Sequence, residues 1–358
     1  MVPRIRSARY HPTATTVPLE RYSQLDWGKA FLICLMIVGH SAPDKVSDTI
    51  ICSFHMCAFF FLSGVLHKIP MNKIEFIHGT SCKNIFGGGK ILILDVLENV
   101  KPLFKKLIVP VLFFNAIAYV CWISFSGFVG ELPSGLYELI VKPILGIILF
   151  GSSAHPMNGP CWFLVTLFFI KVIMTILTER RTMWIFVFVM ALMAAVFDKL
   201  RFTGSDFMGR ICFSFPFYCT GFLLKDYVSR FVEIKASNRL LLLVVAITTL
   251  VSLALYNTRG GILSYHFGKS IFLYYATGFI GTFSVICLFS FLRNTSYRFV
   301  TFISNGTLVI LGTHILIISY ISIVRTGNSY LTAGICLLLT LPLIYLFNNY
   351  TPKMVGKK

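Results

Sequence analysis

His40 stands near the far end of an apolar run, AFLICLMIVGH, eleven residues after Lys29. A second membrane-grade run, carrying His55, follows after a short polar connector. Ionisable side chains at membrane depth are costly and mark candidate functional sites unless a partner explains them. Eleven helical steps of about 1.5 Å place Lys29 and His40 roughly 16 Å apart along one helix. One helix then offers a cation for an anionic ligand near one face and a titratable base towards the other. His55, early in the returning run, falls in the same half of the membrane as His40. A neutral imidazole there is suited to taking a proton from a hydroxyl near physiological pH. The same spacing also suits a lysine that snorkels to lipid phosphates and a histidine that merely ends its helix at the interface. Spacing alone leaves both readings open.

Other candidates are weaker. Asp44 follows His40 with three residues between them, whereas the glycerolipid acyltransferase box has four, so that motif is absent; Asp44 either orients His40 or faces water. His314 lies in a later apolar run, SNGTLVILGTHIL, and is a secondary candidate beside a structural role. Cys161-Trp162-Phe163-Leu164, after Asn158-Gly159-Pro160, reads as an interfacial aromatic anchor. Ten cysteines occur singly, without a CxxC pair, so neither zinc nor thioredoxin-type chemistry is supported and no metal is expected. Gly87-Gly88-Gly89-Lys90 lacks the earlier Gly and the following Ser or Thr of a phosphate-binding loop, and reads as part of a flexible inner loop from about 67 to 103.

The elements that position these residues are membrane helices. Of the 358 residues 56% are hydrophobic and 13% charged, with 35 Phe and 15 Tyr, and the mean hydropathy is +0.79. These values exclude an ordinary soluble domain. Segments of about 20 apolar residues, the length that crosses a bilayer, fall near 27–42, 48–66, 104–125, 160–178, 183–197, 211–225, 239–256, 270–291, 303–323 and 329–348. A shorter apolar stretch at 138–150 suits a surface or re-entrant segment. The fold class expected is all-α and polytopic, with about ten transmembrane helices. The net charge of +18 does not point to nucleic acid, because most Lys and Arg fall in alternate loops. That distribution places both termini in the cytoplasm; Lys171 is a basic residue that falls inside a span. The chain divides into a basic N-terminal segment (1–26, with Arg4, Arg6, Arg9 and Arg21), a membrane domain (27–348) and a basic tail (349–358). The first apolar run lacks a small-residue cleavage site and reads as a retained span.

Several motifs together resemble the membrane-bound acyltransferase 3 family, especially its branch related to fucose 4-O-acetylases. They are Arg21-x-x-x-Leu25-Asp26, Lys29-x10-His40-Ser41, Ser53-Phe54-His55-Met56, Phe59-Phe60-Phe61-Leu62-Ser63-Gly64 and Lys105-Lys106-Leu107-Ile108-Val109-Pro110. Trp162-Phe163-Leu164, Pro216 to Gly221 and Gly306 to His314 extend the likeness over about residues 20–350. The resemblance implies about ten spans in a bacterial inner membrane, acetyl-CoA as the acyl donor reached from the cytoplasm, and a carbohydrate or lipid-linked glycan hydroxyl as acceptor. Residue by residue, it implies a general-base role for His40 with His55 beside it, and donor contact by Lys29, Lys105 and Lys106. Asp26, Asp44, Ser63 and His314 are further substrate-binding or structural candidates. Cys57 departs from the family's usual Pro, and Lys105 and Lys106 stand where Arg is frequent, which removes fork-like phosphate recognition.

Two other classes of function fit the spans. A transporter or flippase for a glycan or lipid-linked precursor would explain the basic charge, but the spans carry almost no interior Asp or Glu and no paired halves. A membrane scaffold would leave the histidines without a purpose.

Overall fold

The computed structural model describes residues 23–67, 89–129, 135–148, 158–177, 179–200, 206–293, 295, 297–323 and 327–357. Most of the basic N-terminal segment and the glycine triplet up to Gly88 lie outside these. Twelve α-helices are described in chain order: α1 (Ser23–His40), α2 (Lys45–Val65), α3 (Gly89–Val129), α4 (Lys142–Ile148), α5 (Trp162–Ile176), α6 (Arg180–Leu200), α7 (Asp206–Leu223), α8 (Lys225–Arg230), α9 (Ala236–Asn257), α10 (Ile271–Ser290), α11 (Arg298–Ile323) and α12 (Ser329–Tyr350). Among the described residues there is no strand, only an isolated bridge between Gly261 and His266.

The protein is a multi-pass membrane protein. Eight of these helices are long and apolar enough to cross a bilayer, and nine if α7 and the 58°-bent continuation that includes α8 make one span. The ten spans expected include α1, which falls short because its first two turns carry Gln24, Asp26 and Lys29. The 67–103 loop needs a second correction: α3 already begins at Gly89 and runs through Pro102 and Pro110. The 138–150 stretch forms a π-helical turn, Tyr137–Val141, and α4, with the Tyr119 hydroxyl donating to the Leu139 carbonyl at 2.9 Å.

Lipid-like and protein-like faces separate clearly. The apolar window of α2 is 67% buried and that of α6 only 11%, so α2 is central and α6 peripheral. α2 packs against α1, α7 and α10, while α11 packs against α1, α3 and α12. Phe188, Leu241 and Leu338 point outwards from α6, α9 and α12. The interior is rich in closely packed rings: Phe213 stacks on Phe267 and Tyr275 at 4.5 Å each, and Phe217 meets Phe279 at a tilt at 4.4 Å. Small residues let backbones close up, as membrane helix pairs require without a hydrophobic driving force. Gly64 of α2 and Gly221 of α7 sit against the carbonyls of Tyr218 and Phe61 respectively.

Hydrogen bonds tie the helix ends into two polar layers. At the basic end, Trp27 Nε1 donates to the Thr295 carbonyl at 2.9 Å and Arg239 to the Ser290 carbonyl at 2.9 Å. At the opposite end, Tyr330 of α12 donates to Asp44, Ser329 to the Ala42 carbonyl, and Arg259 to Asp48. These ties fix both ends of α1 and the start of α2.

Candidate active site

Three helices each present one stripe to a shared interior. On α1 it runs Lys29, Ile33, Met36 or Ile37, His40; on α11 it runs Ser304, Thr307, Leu311, His314; on α2 it runs from Ser63 through Phe59 to His55. Residues three or four apart lie on one helical face, so the stripes carry basic or hydroxyl groups at one end and histidines at the other. Between them lies a cavity of about 170 Å³ lined by Lys29, Ile33, Met56, Phe59, Ser63 and Leu311, among others. The cavity ends at Ile33, Met56 and Leu311. The next turn of α1 is filled by Met36 and Ile37, 2% and 1% exposed. Ile33 to His40 is about 10 Å of helical rise, and Leu311 to His314 is about 4.5 Å.

The histidines converge from distant parts of the chain. The rings of His40 and His314 lie 5.1 Å apart at 49°, and His55 is within electrostatic range of His40. His314 is fully buried and His55 is 8% exposed, whereas His40 opens to the outside at the end of α1. His55 Nδ1 lies 2.7 Å from the Ile51 carbonyl and His314 Nδ1 lies 2.8 Å from the Ile310 carbonyl. A carbonyl only accepts, so both rings hold their proton on Nδ1 and, when neutral, leave Nε2 as a bare acceptor. Nε2 of His314 is buried and has no hydrogen-bond partner among the described residues. The site thus holds proton acceptors buried beside an exposed imidazole.

The turn behind His40 fixes its place. Ala42 takes φ +53°, a left-handed conformation uncommon for a residue with a Cβ, and Ser41 Oγ donates back to the Ile37 carbonyl at 2.9 Å. Asp44 then caps α2, accepting from the Val46 and Ser47 amides at 3.1 and 3.0 Å. Asp44 is committed to this cap and to Tyr330, not to His40. The Tyr330 hydroxyl, followed by the Ser47 amide and hydroxyl, holds its carboxyl well below the usual carboxylate range. A depressed carboxylate stabilises the fold fully above its unfolded value, near pH 4, and loses that contribution only as the pH falls further. Asp44→Ala is therefore expected to lower Tm in detergent at pH 7, by an amount that stays constant down to about pH 4 and shrinks below it. A Tm difference that already vanishes at pH 6 would show that the cap contributes nothing through its charge.

The carboxylate beside His40 is Asp48, which the sequence reading passed over. It pairs with Arg259 of the α9–α10 connection and accepts from Cys52 Sγ at 3.2 Å, and both Asp48 and Arg259 are charged neighbours of His40. The Asp48 bond holds the Arg259 guanidinium more firmly protonated than usual. Asp48, Cys52 and His55 follow the helical 4-and-3 spacing, a signal that was available; Arg259, 211 residues away, was not.

At the basic end, Lys29 pairs with Asp26 at 3.1 Å, and Asp26 also accepts from Ser304 Oγ at 2.6 Å. Lys29 and Ser63 share the cavity wall. Lys105 and Lys106 are exposed on α3, beside the cavity-lining Leu107. No group of three or more metal-ligating side chains occurs among the described residues.

The family model Acyl_transf_3, described as an acyltransferase domain, matches residues 22–349. The chain belongs to the acyltransferase 3 family. No curated protein and no solved structure matches it. The matched range begins one residue before α1 and ends within the last turn of α12. The acyltransferase domain is therefore the bundle itself, with both the lysine-edged cavity and the histidine cluster inside it.

Proposed function

We propose that this acyltransferase moves an acetyl group from cytoplasmic acetyl-CoA to a hydroxyl of a carbohydrate or lipid-linked glycan, with His40 as general base. The observation that carries the reading is the polarity of the three stripes: a cation-edged apolar cavity at one end, and three histidines from three helices at the other. The positive-inside rule assigns the basic end to the cytoplasm, in a bacterial inner membrane by the family branch. A thin, uncharged pantetheine arm suits an apolar cavity, and its anionic head suits Lys29, Lys105 and Lys106. For the thioester to meet His40, the turn of α1 filled by Met36 and Ile37 has to yield; Met is well able to repack.

In the reaction, the acceptor oxygen attacks the thioester carbonyl carbon while His40 takes the hydroxyl proton. Collapse of the tetrahedral species breaks the carbon–sulfur bond and releases the thiolate, which recovers that proton from His40. His55 and His314, with bare Nε2 atoms, orient the acceptor hydroxyl or hold its hydrogen bond. Direct transfer is favoured because the sequence shows no Ser or Cys with a base at motif spacing, and the carboxylate that the Cys52 thiol meets, Asp48, is already paired with Arg259. Radiolabel retained on the purified protein after incubation with acetyl-CoA alone would instead indicate an acyl-enzyme.

Lys29→Ala is expected to raise the apparent KM for acetyl-CoA about tenfold with a smaller change in kcat, since it removes a ground-state contact. An unchanged KM would take Lys29 out of donor binding. Acetyl transfer by the purified protein tests the whole reading; translocation of the acceptor without acetylation would favour a transporter.

A further inference from the structure

Lys171 is an interior cation that the proposed reaction leaves unused. It lies within α5, four residues after Leu167 and seven after Leu164, both of which line the cavity. That spacing puts Lys171 on the same face of the helix, one turn beyond the lining and towards the basic end. Its ammonium lies 5.8 Å from the centroid of the Tyr218 ring, and the Tyr218 hydroxyl is held at 2.6 Å by His67 Nδ1 at the end of α2. Lys106, immediately before cavity-lining Leu107, is a charged neighbour of Lys171.

Two lysines within electrostatic range of each other repel. Yet among the described residues no carboxylate forms an ion pair with either, while Lys29 across the cavity is neutralised by Asp26. An unpaired cation within a membrane bundle is expensive. The aromatic face of Tyr218 recovers only part of that cost. An anion within reach of both ammonium groups would relieve that repulsion.

We propose that Lys171, together with Lys106, binds the phosphate-bearing head of the acyl donor and thereby positions its thioester arm in the cavity. This rests on a coenzyme A thioester being the donor. Lys29, already paired with Asp26, adds a further contact to the same head, while the Lys171–Lys106 pair supplies most of the discrimination for phosphate. The competing occupant is an anionic lipid headgroup reached by a snorkelling Lys171.

The test uses the full chain in nanodiscs of phosphatidylcholine, with or without phosphatidylglycerol, and compares acetyl-CoA with S-acetylpantetheine, which lacks the charged head. Wild type should prefer acetyl-CoA. K171M should raise KM for acetyl-CoA about tenfold or more and leave turnover of S-acetylpantetheine unchanged, and K171R should restore most of the loss. Equal loss with both donors would make Lys171 a packing residue and overturn the proposal. Unchanged kinetics with reduced retention of phosphatidylglycerol would assign the site to lipid and overturn it as well. A wild-type protein that turns over neither donor would defeat the donor reading itself, a different failure from an active wild type matched by K171M.

Discussion

His40→Ala is expected to lower acetyl transfer by about 10²- to 10⁴-fold, the usual contribution of a positioned general base, with Tm and membrane insertion little changed. The stability expectation follows from its place. His40 is exposed at the last residue of α1 and meets the His314 ring at a 49° tilt, so truncation opens no interior cavity. The loss should fall on kcat at least as heavily as on kcat/KM for acetyl-CoA, because the base acts in the transition state and not in donor binding. His314→Gln is a useful companion: it removes a bare buried acceptor 5.1 Å from His40 by ring centroids while keeping a polar group of similar size. An intermediate loss there, with His40→Ala near background, would rank the two roles. Activity of His40→Ala within tenfold of wild type would remove it from the chemistry and leave the buried rings as the remaining bases.

The helices were legible because a bilayer demands continuous apolar runs, and polar punctuation marks their ends. Asp44 capping α2, Ser270 capping α10 and Asn328 capping α12 are such marks. The start of α3 was not legible, since Gly89, Lys90 and a mixed polar stretch read as loop; helix propensity in that stretch is a weaker signal than apolar length. α1 shows the opposite failure of the same rule, being a bundle helix whose polar turns serve contacts to Ser304 and Thr295 more than they serve lipid. Lys29, His40 and His55 were legible as ionisable groups on neighbouring runs. What the sequence withheld were juxtapositions across the chain: His314 against His40, Arg259 on Asp48, and Lys106 beside Lys171. Spacing orders residues along a helix, but only packing decides which stripes face one another. The motif glycines are a related case. Phe59 to Gly64 and Pro216 to Gly221 read as a family likeness, and their physical reason emerges only where the two helices cross.

That crossing supports the second large effect. Gly64→Leu and Gly221→Leu are each expected to abolish accumulation of folded protein, and Gly64→Ala to lower Tm strongly. A Cβ on Gly64 would overlap the Tyr218 carbonyl oxygen and stand 3.0 Å from the Phe222 amide nitrogen; one on Gly221 would overlap the Phe61 carbonyl oxygen. Both obstacles are backbone atoms of a neighbouring helix, so no side-chain rotation relieves them, and α2 must move off α7. Overpacking a well-filled interior costs about 1–3 kcal/mol, more when backbone has to shift. α2 is the most buried of the candidate spans and carries His55, so the displacement reaches the site as well as the fold. Gly334 of α12 supplies the control, since nothing lies within 4 Å of its Cβ position. There, replacing glycine in a helix interior should be neutral or stabilising by up to about 1 kcal/mol. Size-exclusion profiles and thermal unfolding of Gly64→Ala, Gly221→Ala and Gly334→Ala in one detergent make the comparison. A Gly64→Ala protein as stable as Gly334→Ala would mean that α2 and α7 do not meet backbone to backbone, and the position of His55 relative to α1 would have to be drawn again.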